Sequence, residues 1–172
     1  MKKLIVVLLM SCVPALAFAA QGKATIKGTA SDSKISGDVS IIDVDGGITL
    51  KAHLVNVAPG KHGFHIHENG SCADTGKAAG GHFNPDKSPH GMISKDGAMH
   101  AHGGDMGNIE IAEDGTGILN AFLPGMALND GSVHAVLGKS LILHEKEDDF
   151  SQPTGNAGGR IGCGIIELNE IM

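Results

Sequence analysis

Seven candidate metal ligands are spread along the chain in a pattern that suggests more than one ion. Imidazole is the commonest biological ligand for copper and zinc. Six imidazoles and one carboxylate exceed the four ligands that one tetrahedral ion takes. The sequence therefore predicts two ions, or one ion together with histidines that do not bind. The candidate ligands are six histidines and one aspartate: His65, His67, His82, His90, His102, Asp105 and His144.

The spacing of these residues suggests how they divide. Alternate residues of a strand point to the same face, so His65 and His67 can both reach one ion from a rigid strand while Ile66 points away. His144 ends the apolar run 141–143, where another aliphatic residue would be expected. A three-nitrogen, one-oxygen set suited to tetrahedral zinc lies in the glycine-rich stretch that follows the pair: His82, His90, His102 and Asp105.

Three histidines have less informative positions. His100 is a rival to His102 because it lies only two residues before it. His53 falls on the polar phase of its strand, so we expect it to be exposed to solvent. His134 follows a turn and has no partner in the sequence.

The first nineteen residues predict an export signal. Lys2 and Lys3 precede the apolar run 4–10, and the small-x-small motif of residues 17–19 would place cleavage before Ala20. The mature domain would then span 20–172, in the periplasm. The alternative is a lipoprotein anchored through Cys12, although cutting there would leave an apolar tether where a polar one is expected. No further segment is long enough to cross a membrane.

Removing the signal changes the cysteine count and the charge. Cys72 and Cys163 remain, and in an oxidising compartment they predict a disulfide, with two buried free thiols as the alternative. A disulfide between these two cysteines would close a long loop and, on the chain-entropy model, would add about 4–5 kcal/mol to the free energy of unfolding. The basic residues fall from 13 to 11 against 19 acidic ones, so the net charge moves from −6 to −8. An acidic chain without a basic run argues against nucleic acid as a partner.

Turn residues and short runs in which apolar and polar residues alternate predict an all-β domain. The chain has 26 glycines and no stretch with a sustained helical period. Two long stretches, 68–106 and 145–160, lack any strand pattern, and metal coordination and the disulfide would order them. Eight strands of this kind suggest a sandwich or Greek-key barrel. We predict them at 23–30, 35–44, 48–55, 61–67, 108–111, 116–123, 140–144 and 161–168.

Several motifs, in this order, resemble those of the copper/zinc superoxide dismutases, in particular exported bacterial members. The resemblance covers essentially the whole mature chain and implies an eight-stranded Greek-key β-barrel with two long functional loops. The matching runs are Gly63-Phe64-His65-Ile66-His67-Glu68, Gly81-His82-Phe83-Asn84-Pro85, His102-Gly103-Gly104-Asp105, His144-Glu145-Lys146-Glu147-Asp148-Asp149, Gly155-Asn156-Ala157-Gly158-Gly159-Arg160 and Cys163-Gly164-Ile165-Ile166.

The resemblance implies one copper and one zinc per chain, joined by a shared, deprotonated imidazole from His82. Copper would cycle between two oxidation states, converting two superoxide anions and two protons to dioxygen and hydrogen peroxide. The zinc would hold the bridging imidazole in place. The implied copper ligands are His65, His67, His82 and His144, and the implied zinc ligands are His82, His90, His102 and Asp105.

Four more residues gain roles through the resemblance. Asp148 would hydrogen-bond ligands of both ions, although spacing alone would favour a solvated acid. Arg160 would dock the anionic substrate, and Thr154 would help to wall the channel. His62 matches a position that is not a ligand, where a packing role is expected. The chain departs from the family pattern in one respect, because residues 150–159 contain no lysine. This weakens the expected guidance of superoxide and leaves Lys146 and Arg160 as the local positive charges.

Two rival functions follow from the same ligands. A metal buffer would bind copper or zinc without turnover, but storage requires neither Arg160 nor a bridging His82. A copper-only relative would not need the complete zinc set. Members of the family occur as monomers and as dimers, so a homodimer is possible, and the sequence shows no patch that decides between them.

Overall fold

Eight antiparallel strands close into a barrel in the computed structural model, which describes residues 20–169. The predicted export signal of residues 1–19 and the alternative anchor Cys12 lie outside the described residues. The strands are β1 (Gln21–Gly28), β2 (Ser36–Val44), β3 (Gly47–Val55), β4 (Gly60–His67), β5 (Asp105–Ile111), β6 (Gly117–Pro124), β7 (Ser140–His144) and β8 (Arg160–Ile165), and a two-residue strand, β9 (Glu167–Leu168), follows them.

The strand order shows a Greek-key connection. Around the barrel the order is β2-β3-β6-β5-β4-β7-β8-β1, and pairing of β1 with β2 closes the ring. β3 pairs with β6, so the chain crosses the end of the barrel before it enters β4. Closure removes the exposed strand edges that an open sheet would present. The predicted all-β Greek-key barrel is confirmed.

Alternation along the strands builds the core. Ile48, Leu50, Ala52 and Leu54 of β3 are all buried, whereas the residues between them are exposed or half-buried. The same alternation on β1 buries Ala24 and Ile26. One face of each strand therefore fills the barrel, as the period of two in the sequence predicts.

Strands β4 and β7 are buried on both faces. Phe64 and Ile66 of β4 join the barrel core, which turns His65 and His67 to the outer face. On β7, Ile142 packs outside the barrel against Ala79 and Cys163. The outer face of these two strands is therefore covered by loops. The four expected copper ligands are buried although they lie outside the barrel core: His65, His67, His82 and His144.

Two long loops, which correspond to the predicted stretches 68–106 and 145–160, provide that cover. The first runs from β4 to β5 and contains only a 3₁₀ turn (Lys77–Ala79) and a single-turn helix, α1 (Ile93–Asp96). The second, residues 145–159, joins β7 to β8. The Cys72–Cys163 disulfide, with an S–S distance of 2.03 Å, links the first loop to β8. The predicted disulfide is confirmed.

Two predicted strand boundaries differ from the observed ones by three residues, whereas the others lie within two residues. The last predicted strand, 161–168, is interrupted at Ile166, because the backbone of that residue bonds to Gly138 and Lys139 instead of β1. β5 begins at Asp105, three residues before the predicted start, where the glycines of the zinc motif had obscured the alternation. Within residues 20–169, no helix has the length and apolar character needed to span a membrane.

Candidate metal centre

Four imidazoles converge on the outer face of β4 and β7. Each of them offers a ring nitrogen, and these nitrogens all lie within 4.8 Å of one another. The strands supply three of the rings, and the first loop folds back to supply the fourth. The Nε2 atoms of His67 and His144 are 3.3 Å apart. The structure thus brings together the residues expected to bind copper: His65, His67, His82 and His144.

A second group surrounds the carboxylate of Asp105 at the start of β5. Its Oδ1 lies 2.7 Å from Nδ1 of His82 and 3.1 Å from Nδ1 of His102, and its Oδ2 lies 2.8 Å from Nδ1 of His90. Backbone N–H groups of Gly91 and His102 donate to Oδ2 and fix the orientation of the carboxylate. These three nitrogens and one oxygen are the set expected to bind zinc.

His82 belongs to both groups and lies between them. Its ring centroid is 4.3 Å from that of His65 in the first group and 5.3 Å from that of His90 in the second. An imidazole has two ring nitrogens on opposite sides, so one ring can serve two ions. The structure places His82 where the expected bridge requires it.

Asp148 connects the two groups from the second loop. The buried carboxylate accepts from Nε2 of His65 at 2.9 Å and from Nε2 of His90 at 3.0 Å. These contacts fix which nitrogen of each ring carries the proton, and so leave the other nitrogen free for a metal. Asn108, which the sequence did not single out, donates to the backbone carbonyl of Asp148 and accepts from its N–H.

One orphaned atom indicates that the first group is built for a ligand. Among residues 20–169, Nδ1 of His65 is the one buried side-chain nitrogen or oxygen with no hydrogen-bond partner. Because Nε2 of this ring faces Asp148, Nδ1 carries a lone pair directed at nothing in the protein. Leaving such an atom unsatisfied costs about 1–3 kcal/mol. A metal ion among the four imidazoles would satisfy it.

Burial keeps three imidazoles of the first group neutral. It lowers the pKa of His67 to about 2, that of His82 to about 4 and that of His144 to about 3. Neutral imidazole is the form that binds a metal, so protons do not compete for these nitrogens near neutral pH.

His90 behaves in the opposite way. Burial lowers its pKa, but its hydrogen bonds to the carboxylates of Asp105 and Asp148 outweigh burial and raise that pKa to about 9. Burial raises the pKa of each carboxyl group, yet the histidine hydrogen bonds hold both well below their usual range. In the metal-free protein a protonated His90 therefore lies between two ionised carboxylates, and a divalent cation that bound Nδ1 would take the place of the proton on that nitrogen.

Arg160 lies beside the first group at the start of β8. With His67, His82 and His144 it lines an open pocket of about 190 Å³, which Thr154 also lines. Its guanidinium donates to the carbonyls of Gly76 and Gly80 at 2.6 and 2.5 Å. These bonds hold the charge of Arg160 at the pocket through the first loop, which the disulfide links to β8.

Charged side chains of both signs lie near this pocket. The stem of Lys146 passes close to Gly158 at the rim of the pocket. Lys61 pairs with Glu147 at 3.1 Å, but both side chains are about half exposed, so the pair contributes little. Glu145 lies near Gly159 on the same side. Among the residues that line this pocket, Arg160 supplies the permanent positive charge.

The remaining histidines lie outside both groups. His100 is exposed, whereas His102 is buried against Asp105. His53 is exposed on β3, as expected. His134 pairs with Asp86 at 3.0 Å, a partner that the sequence did not indicate. His62 is buried, and its Nδ1 lies 2.9 Å from the carbonyl of His144, which fits the expected packing role.

The chain thus has the features of a two-metal β-barrel protein: a Greek-key barrel and two adjoining groups of metal ligands that share one imidazole. Comparison with known families gives a particular assignment within that class. The model of the copper/zinc superoxide dismutase (SODC) family matches residues 20–166. The chain belongs to the copper/zinc superoxide dismutase family, whose activity is superoxide dismutation and whose cofactors are copper and zinc.

Individual relatives agree with this assignment. Superoxide dismutase (Cu-Zn) 5 of Dictyostelium discoideum is 37% identical over 131 residues, which cover 72% of this chain and 83% of the relative. The extracellular superoxide dismutase (Cu-Zn) of Drosophila melanogaster is 35% identical over 148 residues, covering 80% and 78% respectively. The crystal structure of the clock protein EA4 superposes with a TM-score of 0.77 at 28% identity and covers 92% of this chain and all of that one.

Proposed function

We propose that this chain holds one copper and one zinc on the two groups described above, with His82 bridging them. The copper would be bound by His65, His67, His82 and His144, and the zinc by His82, His90, His102 and Asp105. The orphaned Nδ1 of His65 is the observation that carries this proposal, because a buried lone pair without a protein partner requires a ligand.

The nitrogens of His82 divide between the two groups. Its Nδ1 faces Asp105 and His102, at 2.7 and 3.4 Å, and therefore belongs to the zinc group. That leaves Nε2 for the copper group. When bound, copper supplies one-electron redox chemistry, and zinc keeps Nδ1 deprotonated. Nε2 of His82 is then the atom that can hold a proton at the floor of the pocket and pass it to the substrate.

Arg160 would bind the superoxide anion. Guanidinium offers planar N–H donors and a permanent charge, and here its position is fixed by backbone carbonyls. Thr154, which lines the same pocket, would help to wall the channel. Because the second loop contributes no lysine between residues 150 and 159, guidance of the anion would depend mainly on Arg160, with Lys146 at the rim.

We also propose that the protein is exported to the periplasm after removal of residues 1–19. The lysine pair, the apolar run and the small-x-small motif support this location. The disulfide suits an oxidising compartment, and one relative is named as extracellular. Mass spectrometry of the secreted chain separates an N-terminus at Ala20 from a lipid on Cys12. Sedimentation of the same sample decides between a monomer and a homodimer.

A combined metal and activity measurement tests the site. The metal-loaded mature chain should contain one copper and one zinc and should dismutate superoxide. His82→Ala should abolish dismutation and uncouple binding of the two metals, whereas His53→Ala, a matched change at an exposed site, should leave both unchanged. Metal binding without turnover in the parent protein would indicate a metal buffer. Full activity of His82→Ala would refute the bridge.

A further inference from the structure

Gln152 in the second loop makes a double contact with the backbone of His90 in the first. Its side-chain Nε2 donates to the carbonyl of His90 at 2.9 Å, and its Oε1 accepts from the N–H of His90 at 3.0 Å. The opposite orientation of the amide would place donor against donor and acceptor against acceptor, so the pairing defines the amide orientation. Two hydrogen bonds to one residue restrain the rotation of the backbone that carries the imidazole.

Two neighbours of Gln152 contact the ring of the same histidine. Asp148 accepts from Nε2 of His90, and the Phe150 ring is nearly parallel to the imidazole, with 6.3 Å between centroids and 19° between planes. Three alternate residues of this segment therefore contact His90. Asp148 contacts the edge of its ring, Phe150 the face of its ring and Gln152 its backbone. The other ring nitrogen, Nδ1, is left facing Asp105 in the zinc group.

The segment that carries these contacts is closed on itself. The N–H of Asp149 donates to the carbonyl of Gly155, and the Asn156 amide donates to Asp149 and Ser151. Gly155 has a positive φ of 74°, and a Cβ there would collide with the Asp148 carboxylate. The segment is thus a preformed turn, and Gln152 links it to the backbone of the first loop.

We propose that Gln152 is a positioning residue of the zinc centre, which holds the His90 backbone so that Nδ1 stays directed at the zinc. This inference rests on the proposed role of His90 as a zinc ligand. Outer contacts of metal ligands typically change affinity by about 10- to 100-fold. The pairing is only partly shielded from solvent, so we expect the lower end, about tenfold faster release of zinc when it is lost.

The test measures zinc release from the metal-loaded mature chain to excess 4-(2-pyridylazo)resorcinol. Gln152→Ala removes both hydrogen bonds. Gln152→Glu keeps the size and one acceptor but places an oxygen against the His90 carbonyl. Both variants should release zinc about tenfold faster than the parent, and Co²⁺ at the zinc site should show an altered d–d spectrum. Gln21→Ala, the same truncation at an exposed position on β1, should match the parent.

His90→Ala separates this inference from the assignment beneath it. If His90→Ala loses tight zinc binding while both Gln152 variants release zinc at the parental rate, the positioning role is wrong and the zinc assignment stands. If His90→Ala retains tight zinc, the zinc assignment itself is wrong. Equal loss of thermal stability in the metal-free and zinc-loaded forms of Gln152→Ala, with unchanged zinc release, would show a merely structural role and overturn the inference.

Discussion

The metal-free protein should be most stable near pH 6.5 and should lose stability steeply in acid. Three buried imidazoles have folded-state pKa values of about 2, 4 and 3, against 6.5 for an ordinary histidine: His67, His82 and His144. As the pH falls from above 6.5 to about 5, the unfolded chain therefore takes up nearly three protons that the folded protein does not. Stability that depends on neutral imidazoles is lost as the pH falls through this window.

The size of the effect follows from the proton count. Each proton bound only by the unfolded chain changes the free energy of unfolding by about 1.4 kcal/mol per pH unit. Three such protons give a slope of up to about 4 kcal/mol per pH unit below pH 6, a large fraction of the 5–15 kcal/mol that stabilises a typical domain. His90 acts in the other direction. Its raised pKa of about 9 adds stability that is complete below pH 6.5 and is lost as the pH rises through 9.

Urea unfolding of the metal-free, disulfide-bonded protein at half-unit steps from pH 4.5 to pH 9.5 measures this profile. His144→Gln removes one of the three buried imidazoles and should reduce the acid slope by about a third, or about 1.4 kcal/mol per pH unit. His53→Gln changes an exposed histidine and should leave the slope unchanged. A profile that is flat between pH 4.5 and pH 6.5, or a His144→Gln slope equal to that of the parent, would show that burial does not keep these rings neutral.

Two further predictions concern single residues of the site. His102→Ala should lower zinc affinity sharply because His102 is buried 3.1 Å from Asp105, whereas His100→Ala should leave zinc content and affinity unchanged because His100 is exposed; the reverse result in a zinc titration would shift the zinc set by two residues. Arg160→Glu should reduce kcat/KM by at least about tenfold while metal content is preserved, because a fixed positive charge beside the pocket becomes negative. The parental rate should also fall as ionic strength rises, and a rate independent of salt would contradict electrostatic guidance.

Local patterns were enough to predict the barrel and most of the candidate ligands. The period of two along β3 and β4 decides which residues face the core, so the alternation of Ile48 to Leu54 and the shared face of His65 and His67 could be derived from the sequence. The disulfide followed from a count, because two cysteines remain once the signal is removed. The resemblance to a family supplied the division into copper and zinc sets, which spacing alone left open.

The contacts between distant loops could not be predicted in this way. Asn108 pairs with the backbone of Asp148, 40 positions away, and Gln152 pairs with that of His90, 62 positions away. An amide side chain that binds a peptide group leaves no periodicity and no motif, since any backbone can be its partner.

The protonation state of each histidine ring was likewise decided by the tertiary structure. His67 and His90 are both histidines in loop or strand-end positions, yet burial lowers the pKa of one to about 2 and two carboxylates raise that of the other to about 9. The sequence by itself determined which residues could bind metal and on which face of a strand they lie. Only the folded chain decided which nitrogen each ring presents and where Arg160 holds its charge, because those properties depend on desolvation and on partners that lie far away along the chain.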